Sequence, residues 1–158
     1  MYNFIIIDAG SFLDENTVTL MDMSDRVLLV ANPDLASLHD VSRFSQISHT
    51  LGYPPGKLLV VLNRVGMLGG VSSKDIALAL RQPPFAEIPE DGTKAIRSLN
   101  RGVPLYFKYP RNSVSRSIRN LARTLADIGM EEQGTSRSKS STSFPEILKR
   151  FRASEVTS

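Results

Sequence analysis

The sequence predicts an α/β fold with a mostly parallel sheet and flanking helices. Three observations carry this. The apolar runs 4–7, 27–31 and 58–62 are rich in Ile, Val and Leu without polar alternation, as in strands covered on both faces. Segments with helical apolar spacing lie between them, and alternating strands and helices build parallel sheets through right-handed crossovers. Helix-start signals stand where one pattern gives way to the other.

In order, the run 4–7 delivers Asp8 to its carboxyl end, followed by Ala9, Gly10 and Ser11. A carboxylate at that place sits where ligands bind in open α/β sheets and can reach Mg²⁺ directly or through water; it can equally cap the loop. After 27–31, Asn32-Pro33-Asp34 supplies a cap, a first-turn proline and an acid for a helix start. Leu35, Leu38, Val41, Phe44 and Ile47 then recur three apart, a spacing that drifts around the helix, and Gly52 ends it. The run 58–62 leads into Asn63-Arg64, where an amide can pair with a purine edge or close the strand as an Asx-turn. Ser72 with Asp75 makes a capping box before the helix over 76–80. A weaker strand, 85–88, stops at Pro89, Glu90 follows, and Asp91 caps a helix that ends near Gly102. Ser113 opens an amphipathic helix with Val114, Ile118, Leu121, Ala122, Leu125 and Ile128 on one stripe.

With 158 residues, 41% of them apolar, the chain can bury one core. The absence of cysteine excludes disulfides and thiolate metal sites, and two histidines, His39 and His49, leave little for zinc. A net charge of +3 is far from that of a dedicated nucleic-acid binder. Neither a membrane span nor a signal peptide is legible, so a cytoplasmic protein is expected.

Taken together, several segments resemble the MinD/ParA superfamily of deviant Walker-A ATPases. They are Tyr2-x-Phe4-Ile-Ile-Ile-Asp8, Asp25-Arg26-Val27-Leu28-Leu29-Val30, Asn32-Pro33-Asp34-Leu35, Ile88-Pro89-Glu90-Asp91 and Asn100-Arg101-Gly102-x-Pro104-Leu105. The pieces Leu51-Gly52-Tyr53 and Val61-Leu62-Asn63-Arg64 look most like the CpaE/TadZ branch, whose members help position or assemble Tad-type (Flp) pili. The resemblance implies a P-loop NTPase fold with ATP and Mg²⁺ as cofactors. It places Asp8 as the Walker-B aspartate near Mg²⁺, Asn63 and Arg64 at the adenine, Pro89 and Glu90 in the loop beside it, and switch II from Gly10 to Asn16. Ala9-Gly10-Ser11 departs from the family there, where a proline often follows the aspartate.

The family's phosphate loop should precede Asp8 by some way, and no other segment replaces it. Gly52-Tyr-Pro-Pro-Gly56-Lys57 has the glycine spacing, but Leu58 stands where Ser or Thr is required, and each proline removes an N–H. The fold is therefore expected to be incomplete, without the strand the family inserts between 4–7 and 27–31, and hydrolysis by this chain alone is not expected. An upstream start or a truncated gene is the expected cause. The alternatives are an ATPase half completed by a separate segment, and a membrane or DNA positioning protein. A self-dimer, the missing amino-terminal segment and pilus-assembly proteins are the expected partners.

The expected domains are the body, 1–130, a Ser/Thr-rich linker, 131–143, and a tail, 144–158. In the tail Phe144, Ile147, Leu148 and Phe151 fall at helical spacing among Lys149, Arg150 and Arg152, resembling the amphipathic membrane anchor of MinD proteins. It would bind the inner membrane face or a partner. Arg116, Arg119 and Arg123 read as a solvated helix face, and DNA binding is not expected.

Overall fold

The computed structural model describes residues 4–135. The chain divides into two units, 1–121 and 122–158. The first holds a three-stranded sheet: β1 (Val27–Ala31), β2 (Leu58–Val65) and β3 (Ala86–Pro89), in the order β1-β2-β3, every pair parallel. The α/β reading is borne out. Its helices are α1 (Glu15–Met23), α2 (Leu35–Thr50), α3 (Ser73–Leu80), α4 (Gly92–Leu99), the single turn α5 (Leu105–Lys108) and the first turns of α6 (Ser113–Thr135). Of the second unit, the described part is the continuation of α6 to Thr135, so helix extends into the stretch expected to begin the linker. The remainder of the linker and the tail lie outside the described residues.

Ser72 and Asp91 cap their helices as the sequence dictates, whereas α2 starts two residues later than expected, with Asp34 in place of Asn32 as its cap and Pro33 outside the first turn. Asp34 Oδ1 accepts from Ser37 N at 2.8 Å, Ser72 Oγ from Asp75 N at 3.2 Å and Asp91 Oδ1 from Lys94 N at 3.2 Å. Gly52 takes a left-handed φ of 73° just after α2, the stop that a side chain would resist. The main core cluster lies on one face of the sheet, and Val61 is buried on the other. Ala31, Val60 and Leu62 meet Leu38 and Val41 of α2 and Ile76 of α3; Leu62 and Ile76 are fully buried.

Three expectations are corrected. Residues 4–7 are not a strand: the segment is unpaired, and Ile5 and Ile6 are 81% and 94% exposed. A strand exists only through a neighbour's N–H and C=O groups, however strong its propensity, and this run has none in register. The helix Glu15–Met23 was not expected, and it begins inside the stretch 10–16 assigned to switch II. Asp14 caps it, accepting from Thr17 N at 2.8 Å, and Thr17 and Met21 are buried. The β-branched Thr17-Val18-Thr19 obscured its periodicity. On α6, Ser115 is fully buried, Val114, Leu121, Leu125 and Ile128 of the expected stripe are half-buried, and Ile118 remains 39% exposed.

Candidate nucleotide-base site

The sheet ends its ladder irregularly where β2 leaves β3. The pairing shifts register between Leu62 and Val65, so Asn63 and Arg64 lie in the irregular stretch. Arg64 adopts a left-handed φ of 60°, a conformation costly for any residue with a Cβ. Glu90 N donates to Val65 O at 2.9 Å, which seats Glu90 beside this kink. Arg64 Nε then donates to Glu90 Oε2 at 2.7 Å, an ion pair across the two strand ends. Pro89 closes β3 opposite Val65. A Cβ at Gly92 would come within 2.7 Å of Glu90 Oε1, so glycine leaves room for this carboxylate.

Four of the expected site residues are thus brought together at the carboxyl ends of β2 and β3, where open α/β sheets bind ligands. Half-buried Asn63 offers an amide donor and acceptor, Arg64 a planar guanidinium and Glu90 a carboxylate. This donor set suits the edge and face of a base.

Asp8 is not part of this cluster's hydrogen bonding. Its Oδ1 accepts from Gly10 N at 3.2 Å, a local turn with Gly10 at φ 74°, in a segment that no sheet strand holds. Among the described residues no three His, Cys, Asp or Glu side chains gather as a metal site. The base end of a nucleotide therefore fits the donor set, and Asp8 stands apart from it as a single carboxylate.

The sequence reading missed the support behind the site. Asp91 Oδ2 accepts from Lys94 Nζ at 2.7 Å and from Asn112 Nδ2 at 2.8 Å, tying the start of α4 to the turn before α6. Asn112 Oδ1 in turn accepts from Val114 N at 2.9 Å. The Lys94 side chain, then Asn112 and the Lys94 backbone N–H, hold the Asp91 carboxyl below the usual carboxylate range. An asparagine directly before a helix was the available signal for Asn112. A second tie lies at the other strand ends. Tyr53 Oη donates to Asp22 Oδ1 at 2.6 Å, and Lys57 Nζ lies 4.7 Å from the centre of the Tyr53 ring.

An open parallel sheet with a polar constellation at its carboxyl ends defines part of an α/β nucleotide-binding fold. No family model matches the chain. It is 32% identical over 134 residues to a putative septum site-determining protein MinD of Mesostigma viride, which covers 83% of this chain and 46% of that protein. The septum site-determining protein MinD of Pyrococcus horikoshii, complexed with Mg-ADP, superposes with a TM-score of 0.60 at 24% identity, covering 75% of this chain and 49% of that one. A ParA family ATPase of Chlorobium tepidum gives 0.59 at 21% identity, over 74% and 45%. The chain is related to the MinD/ParA superfamily of P-loop ATPases. It spans about half the length of the relatives it matches.

Proposed function

We propose that this chain is the base-binding half of a MinD/ParA-type nucleotide switch, in which Asn63, Arg64, Pro89 and Glu90 surround the adenine. The observation that carries this is the meeting of the irregular carboxyl ends of β2 and β3, where these four residues lie, with Arg64 held at positive φ and paired to Glu90. The Mg-ADP bound to the Pyrococcus relative supports the ligand class. The phosphates and Mg²⁺ would lie beyond β1, towards Asp8. There β1 is the outer strand of the described sheet, Val30 is 60% exposed, and residues 4–7 are unpaired. A further strand carrying a phosphate loop, from a longer polypeptide or a separate one, would pair both. It would bury the isoleucines at ~25 cal/mol per Å² and satisfy backbone groups worth ~1 kcal/mol each.

On this reading the chain acts by nucleotide-dependent binding of partners and does not hydrolyse ATP alone. The Leu51-Gly52-Tyr53 and Val61-Leu62-Asn63-Arg64 pieces favour a localisation role in Tad/Flp pilus assembly, as in the CpaE/TadZ branch.

Amide chemical shifts of the chain titrated with adenosine, ATP and GTP test the site. Adenosine and ATP are expected to perturb the same amides around Asn63 and Glu90 with millimolar affinity, without a Mg²⁺ requirement, and Asn63→Ala abolishes the response. Perturbations elsewhere, or none, refute the base site; micromolar, Mg²⁺-dependent ATP binding refutes the half-site reading. For the cellular role, loss of the gene should remove or misplace pili, and unaltered pili would eliminate the pilus assignment.

A further inference from the structure

Helix α4 is turned inside out. At 100° per residue, Ile96 and Leu99 share a face, and Ser98 points away from Ile96. Ser98 is the residue that is buried, at 4% exposure, whereas Ile96 and Leu99 are 59% and 79% exposed. Farther along the chain Val103 is 40% exposed and Phe107, on α5 packed beside α4, 74%. Large apolar side chains grouped in this way on an amphipathic helix mark an interaction surface.

Past Glu90 and Asp91 at the start of α4, the charge along this stretch has one sign. Residues 92–121 contain no Asp or Glu. Lys94 is matched by Asp91, but among the described residues Arg97, Arg101, Lys108 and Arg111 have no ion pair. A second copy of this face would meet it with like charge, which argues against an isologous dimer here. Nucleic acid would satisfy the cations and leave Ile96, Leu99 and Val103 without an apolar environment, since its interfaces are polar. A two-turn helix with outward aliphatics, followed by an exposed phenylalanine and unpaired cations, matches a surface that is apolar below and anionic above.

We propose that the α4–α5 face docks on an anionic lipid bilayer, with Ile96, Leu99 and Phe107 entering the interface and Arg97 and Arg101 meeting headgroup phosphates. This contact is independent of the base site and of residues 144–158.

The chain has no cysteine, so single cysteines can be labelled selectively. Leu99→Cys and Leu78→Cys replace two leucines of similar exposure, 79% and 70%, on α4 and α3. Each full-length variant, carrying an environment-sensitive fluorophore, is mixed with neutral phosphatidylcholine vesicles or with vesicles containing phosphatidylglycerol. Blue-shifted, intensified emission is expected only for the Leu99 probe and only with the anionic vesicles. Arg97→Glu with Arg101→Glu should weaken vesicle partitioning ~tenfold or more, since each basic group near an anionic surface contributes substantially. Co-sedimentation without a shift of the Leu99 probe would place the contact elsewhere on the chain and overturn the proposal. A shift produced by duplex DNA or polyglutamate but not by vesicles, or equal shifts at both positions, would overturn it too.

Discussion

Arg64 gives the sharpest test of how this sheet edge is built. At φ 60° its Cβ crowds the following carbonyl, which costs ~1–2 kcal/mol for an L-residue. Glycine escapes that cost but loses ~0.5–1 kcal/mol more chain entropy on folding. Glycine at position 64 should therefore be more stable than alanine there by roughly 0.5–1 kcal/mol. Both substitutions delete the 2.7 Å ion pair with Glu90, whose side chains are 50% and 25% exposed on the Arg and Glu sides. A pair that open contributes ~0.2–1 kcal/mol, and its loss cancels in the comparison. Arg64→Gly should thus lie near the parent and Arg64→Ala clearly below it. Urea unfolding followed by far-UV circular dichroism reads the difference. With a slope of ~1–3 kcal/mol per molar, the midpoints should separate by about 0.2–1 M. An alanine variant as stable as the glycine variant would mean that Arg64 is not held in the left-handed region, and the kink would then have another origin.

Three other outcomes are expected. Because its folded-state pKa is depressed, Asp91 contributes stability that is full above ~pH 4 and drains as pH falls through the folded value. Asp91→Asn should flatten the acid limb of a thermal-melt pH series between pH 5 and 2.5, and an unchanged limb would refute the Lys94–Asn112 tie as its cause. Burial first, then the hydrogen bond to Asp22, raises the Tyr53 pKa, so its contribution is intact below ~pH 10 and is lost only as pH rises through the folded value. Tyr53→Phe should cost about 1 kcal/mol at neutral pH and steepen no further with alkali; equal loss at pH 11 in parent and variant would contradict this. Ile6 is 94% exposed in an apolar run without a partner strand, which makes it an association hazard. Ile6→Lys should lower concentration-dependent sedimentation, and no change would clear the segment of that role.

Helix caps and core strands were legible in the sequence because their causes are local. Ser72 and Asp91 each satisfy an N–H three residues on, and 27–31 and 58–62 are apolar enough to be strands wherever a sheet forms, although β1 leaves Leu28 and Val30 exposed on a face expected to be covered. Asn63, Arg64, Pro89 and Glu90 could be chosen as site residues from their strand-end positions alone. Their ion pair, the register shift and the left-handed Arg64 could not, since each depends on how β2 lies against β3.

What the sequence by itself determined is which segments could be strand or helix and where each begins. Tertiary structure alone decided whether a competent segment finds a partner. Phe4 to Ile7 has the composition of a buried strand and stays exposed, because a strand's hydrogen bonds are made with another segment. Ile96 and Leu99 have the spacing of a core face and point to water, because amphipathicity fixes a helix's two sides and leaves open which one meets the protein.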